Sequence, residues 1–115
     1  MTTEREILKH ARDYAKELGL YPLRVSQRPG VEVGWPDLFI FGPGHVLGLE
    51  TKRPGKGATP IQKERGKTMV AYGQAWSKAD SKHDAEFTLM NFARFCVGEP
   101  RLDRKAWRKA KGIDE

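Results

Sequence analysis

Two carboxylates and an ammonium group stand at a spacing that chemistry can use: Gly34–Trp35–Pro36–Asp37, twelve further residues, then Glu50–Thr51–Lys52. Asp37 opens a short apolar run, Leu38–Phe41, that ends in the turn signal Gly42–Pro43–Gly44. His45–Lys52 reads as the returning strand, so the two segments form a hairpin. Side chains alternate along a strand, which puts Glu50 and Lys52 on one face and turns Thr51 away. An antiparallel pair sets the start of one strand beside the end of the next, bringing Asp37 to Glu50. Neighbouring buried carboxylates repel, and a hard divalent cation such as magnesium or manganese relieves that repulsion. Such a cation activates water and neutralises phosphodiester charge, while a lysine stabilises the charged transition state. An isolated E-x-K, by contrast, is most often a plain salt bridge at a sheet end.

The elements that must position this group follow from pattern. Thr3 caps a first helix that Gly19 ends, with Ile7, Leu8, Ala11, Tyr14, Ala15 and Leu18 as its buried stripe. Glu4 falls at the inward end of that stripe, whereas Glu6, His10, Asp13 and Glu17 share a polar face. Tyr21–Gln27 reads as a strand and Arg28–Val33 as a loop. The Phe39–Phe41 stretch, Leu47 and Leu49 mark the hairpin as largely buried. Thr59 caps a second helix with Pro60 in its first position, running to about Tyr72. Gln74–Ser77 is a short strand and His83–Phe95 a third helix. Leu102–Lys111 is either a basic helix carrying Trp107 or loosely ordered. The order predicts an α/β sandwich of one domain.

With 115 residues, the chain suits a single core. Its net charge of +6 is unevenly spread: six Lys/Arg against one Glu from Lys52 to Lys67, and six against one Asp from Arg101 to Lys111. Such clusters suit a polyanion such as nucleic acid, or else a solvated face. Arg53, Lys56 and Lys63 in the first cluster, and Arg104, Lys105, Arg108 and Lys109 in the second, are the candidate contacts. Cys96 has no partner cysteine and reads as core. His10, His45 and His83 lack metal-ligand spacing and read as surface or loop residues. No glycine-rich phosphate loop is present, so no small-molecule cofactor is expected. No apolar run suits a bilayer span or a signal peptide, which predicts a soluble cytoplasmic protein with no membrane partner. Trp35, beside a tight turn, either stacks on DNA or packs on the core.

The ordered motifs resemble the VRR-NUC branch of the PD-(D/E)-x-K nucleases, in which a G-x-PD turn, an E-x-K strand end and a P-x-Q-K helix start follow one another. Here these are Gly34–Asp37, Glu50–Lys52 and Pro60–Ile61–Gln62–Lys63, and the likeness covers residues 4–74. The resemblance implies a restriction-endonuclease-like fold, a mixed central sheet flanked by helices. Residues 1–98 would be the nuclease domain and 99–115 a basic tail of the same domain. It also implies Mg2+ or Mn2+ as cofactor, held by Asp37, Glu50, the Thr51 carbonyl and the first-helix acid, for which Glu4 is the match and Glu6 the alternative. Lys52 would be the catalytic lysine and Gln62 a polar residue at the site's edge. The implied activity is endonucleolytic cleavage of DNA, preferably branched DNA such as four-way junctions, by a homodimer in a bacterial or phage-infected cell. A non-catalytic nucleic-acid binding domain, an RNA nuclease and a restriction-type enzyme are the other readings.

Overall fold

The computed structural model describes residues 2–25 and 33–112. Its elements run α1 (Glu4–Glu17), β1 (Tyr21–Arg24), β2 (Leu38–Gly42), β3 (His45–Thr51), α2 (Pro60–Ala71), β4 (Ala75–Ala79), α3 (Lys82–Cys96) and α4 (Arg104–Lys111). Both predicted caps form. Thr3 accepts the Glu6 N–H at 3.1 Å and Thr59 accepts the Gln62 N–H at 3.3 Å. Each partner side chain reaches back to the cap residue's own N–H, so both helices begin in a capping box.

One sheet of order β1-β2-β3-β4 carries the fold. The first three strands form an antiparallel meander, and α2 carries the chain across to β4, which pairs parallel to β3. Leu38, Ile40, Leu47, Leu49 and Ala79 turn to one face, where they pack against Ala11 and Ala15 of α1 and Ala85, Leu89 and Phe92 of α3. The alternate residues face α2: a Cβ on Gly48 would strike Met69, and Trp76 lies against Gly66. The result is a mixed sheet between two layers of helix. No helix among the described residues is long and apolar enough to cross a membrane.

Several sequence expectations need correction. β1 ends at Arg24, although Val25 still donates to the Asp37 carbonyl at 2.9 Å; Ser26 and Gln27, and most of the expected loop, lie outside the described residues. β4 runs Ala75–Ala79, starting one residue late and ending two beyond the expected Ser77; the Gln74 N–H is spent on the Met69 carbonyl at 2.9 Å, and its side chain accepts the Val46 N–H at 2.8 Å. The buried side of β2 is Leu38 and Ile40, while Phe41 is exposed. Cys96 is only half-buried, at the end of α3. His10 is not a free surface residue: its Nε2 lies 2.7 Å from a Glu86 carboxylate oxygen.

The basic tail is ordered through α4. Asn91 of α3, buried, donates to the Leu102 carbonyl at 3.0 Å and accepts its N–H at 2.9 Å, which fixes the approach. Trp107 is 1% exposed and meets Phe87 edge-on at 5.5 Å between ring centres. Arg104 pairs with Asp84 at 2.8 Å and lies over Phe87, and Lys111 pairs with Glu86 at 2.8 Å. Spacing within the tail could not show this, because the partners of Trp107 lie about 20 residues upstream. Trp107→Ala should therefore cost about 3–5 kcal/mol of stability in urea unfolding. Lys105→Ala, on the solvent side of α4, should stay within about 0.5 kcal/mol of wild type.

Candidate active site

The Gly34–Asp37 turn reaches its place by close approach. Gly34 has φ +90, and a Cβ there would lie 2.7 Å from Ile61 of α2. Glycine meets both conditions without strain. The turn thereby seats Pro36, which is fully buried, and delivers Asp37 to the mouth of β2. Leu38 pairs with Leu49, so the register one step further sets Asp37 opposite Glu50.

Asp37 is fixed from the side. Its Oδ2 accepts the Thr51 N–H at 2.9 Å and the Thr51 hydroxyl at 3.0 Å. Thr51 has the parity of Leu49 and pairs with Ala79, so it turns to the face opposite Glu50 as alternation predicts, and its hydroxyl still reaches Asp37. Asp37 lies just beyond the last paired residue of β2, where the pleat no longer dictates direction. Glu50 shares sheet parity with Gly48, so it faces the α2 side, and it is 2% exposed. Its Oε2 is buried without a hydrogen-bond partner.

Burial pushes the Glu50 carboxyl up to about 8, and the charge of Asp37 and a hydrogen bond shared with it push the same way. Lys52 opposes this with its positive charge, and Glu4 adds a smaller upward push. With a folded value near 8 against an ordinary 4.5, the folded chain holds a proton that the unfolded chain has released. Stability of the cation-free protein is full below 4.5 and falls as pH rises towards 8.

These features suit a divalent cation. A buried carboxylate with an orphaned oxygen, beside a second carboxylate, is a site that positive charge would complete. Among the described residues no group of three or more His, Cys, Asp or Glu is placed to hold a metal. The donor set here is a carboxylate pair, and magnesium is commonly bound by one or two carboxylates with several waters.

The other sequence-predicted residues divide. Glu4 turns towards the site, its Oε1 accepting the Arg53 N–H at 3.3 Å, whereas Glu6 is engaged in the Thr3 capping box. Gln62 stands at the start of α2 with its Oε1 on the Thr59 N–H at 2.8 Å, so the cap uses its oxygen. Arg53, Lys56 and Lys63 are exposed beyond the end of β3. Lys105 and Lys109 are exposed on α4 and Arg108 is half-buried, while Arg104 is taken up by Asp84 and Phe87. Trp35 lies against Phe39 at 6.5 Å, with the Arg65 guanidinium over its ring. Sequence reasoning missed Lys78, whose register partner is Glu50, because its pairing depends on the parallel crossover.

No family model and no curated protein matches the sequence. Solved structures do match. One, a VRR_NUC domain, is 20% identical, with 79% of this chain and 99% of that chain covered at a TM-score of 0.67. Another, a VRR_NUC domain protein, is 25% identical, covers 81% of this chain and 89% of that one, and has a TM-score of 0.68. The mixed sheet between helices thus has the VRR-NUC fold, a restriction-endonuclease-like frame.

Proposed function

We infer that this chain is a divalent-metal-dependent endonuclease acting on DNA, with Asp37, Glu50 and Lys52 as its working centre. The observation that carries the reading is the Asp37–Glu50 pair: a 2%-exposed glutamate with an unpartnered oxygen, held against an aspartate that Thr51 fixes from two sides. A metal bound there supplies Lewis-acid charge and an acidified water. Asp37 and Glu50 would hold it, with the Thr51 carbonyl as a neutral donor. Lys52, on the same face as Glu50, offers a cationic N–H donor to a phosphate oxygen. Glu4 adds negative charge from the start of α1 and fixes the chain after Lys52 through the Arg53 N–H.

Branched DNA is the favoured substrate and a homodimer the favoured assembly, both on the motif resemblance. A two-fold symmetric junction needs two cuts, which a symmetric pair of sites provides. Lys105, Arg108 and Lys109 form the basic face of α4 that suits phosphates, since Arg104 and Lys111 already hold α4 to α3.

Cleavage of matched linear, flapped and four-way DNA, with and without Mg2+ or Mn2+, tests the reading. Asp37→Ala, Glu50→Ala and Lys52→Ala should each abolish cleavage in folded protein. Binding without cleavage by the wild type would leave only a nucleic-acid binding domain. Glu4→Gln should slow cleavage at least about tenfold, roughly 1.4 kcal/mol of barrier. Glu6→Gln should leave the rate nearly unchanged, and the reverse outcome would exclude Glu4 from the site.

Neutralising Lys105, Arg108 and Lys109 together should weaken DNA binding and flatten the plot of log affinity against log salt, by about one unit of slope per lost phosphate contact. An unchanged slope would remove α4 from the interface.

A further inference from the structure

Beside the carboxylate pair, on the same face of the sheet, lies an open groove of about 850 Å³ between α2 and β4. Its wall is apolar, formed by Trp76, Val70 and Ala71, and three cations border it: Lys63, Lys67 and Lys78. Two features of the fold create it. Gly66 lets the Trp76 indole lie directly on α2, since a Cβ there would be 2.5 Å from the ring. β4 is also the edge strand of the sheet, so among the described residues no further strand closes that side.

The register ties the groove to the candidate active site. Lys78 pairs with Glu50 and Trp76 with Gly48, all on the α2 side. Trp76 therefore stands about 8 Å diagonally from Glu50, from the rise along a strand and the spacing between strands. Among the described residues Lys78 makes a long contact with Asp80, at 3.8 Å, and Lys63 and Lys67 are exposed.

The geometry points to this groove as the seat of an unpaired nucleotide on the strand that leaves the scissile phosphate. The proposal rests on reading the chain as one that acts on DNA, and it narrows the branched substrates to those with unpaired nucleotides beside the cut. Charge complementarity selects the occupant, because a polyanion with flat apolar groups matches an apolar wall bordered by lysines. Paired bases hide their faces within the duplex stack, whereas an unpaired base can lie on an aromatic side chain with its phosphates on nearby cations. The volume is in the range of small-ligand sites, and the open side lets the strand continue out.

The test compares binding of a duplex and of the same duplex with a short unpaired arm, in chelator so that nothing is cut. The arm should tighten binding to the wild type about tenfold, the scale of one base stacked on an aromatic ring. Val70→Glu puts a carboxylate on the groove wall at a position 61% exposed, where the fold tolerates it. It should erase the gain from the arm and leave duplex affinity within about twofold. A 2-aminopurine in the arm should change its fluorescence on binding to wild type, and not with Trp76→Leu. The proposal is overturned if the arm adds nothing to wild-type affinity, or if its gain survives Val70→Glu. Metal-dependent cleavage of the plain duplex, run in parallel, separates the two readings. Cleavage without an arm effect defeats the groove alone, and an arm effect lost with Val70→Glu but without cleavage defeats only the nuclease reading.

Discussion

Two carboxyl groups sit side by side at the ends of β2 and β3, and one of them is almost wholly out of water. A buried glutamate beside an aspartate cannot readily ionise, and the unfavourable field at Glu50 persists because the surroundings allow no escape. Leu38 and Leu49 pair immediately behind the two acids and lock the register. Thr51 holds Asp37 by its N–H and its hydroxyl. α2 returns the chain to β4, which flanks Glu50 on its other side with Lys78. Relaxing any of these would let one carboxylate swing to solvent and dissolve the site. The fold holds together two carboxyl groups that cannot both ionise freely.

Much of that arrangement was legible in the sequence because its determinants are local. A turn signal between two apolar runs marked the hairpin, and its antiparallel register sets Asp37 opposite Glu50. Helical spacing separated Glu4 from Glu6, and the structure turns Glu4 to the Arg53 N–H and leaves Glu6 in the cap. What escaped depends on contacts distant in sequence. Trp107 is buried because Phe87 awaits it, and His10 is held because Glu86 bridges α1 and α4. Lys78 comes to Glu50 only through a parallel pairing that no short-range pattern records. The two hydrogen bonds from Thr51 to Asp37 also escaped, since Asp37 lies beyond the paired residues of β2.

The basic residues show a similar division between sequence and structure. Composition marks two clusters of six Lys/Arg each, but their members do different jobs. Arg104 and Lys111 neutralise Asp84 and Glu86 and so attach α4 to α3. Lys105 and Lys109 remain on the solvent side of the same helix. On the α2 side, Lys63, Lys67 and Lys78 border an apolar groove next to the carboxylates.

The claim that the Asp37–Glu50 pair is a cation site is tested most directly by calorimetric titration of Mn2+ into the protein in buffers of different ionisation enthalpy. Glu50, raised to about 8, must give up its proton to become a ligand. Binding at pH 7 should therefore release close to one proton, binding at pH 9 should release few, and Glu50→Gln should bind much more weakly with no release. Absence of Mn2+ binding, or binding at pH 7 with no proton release and unchanged by Glu50→Gln, would contradict the account.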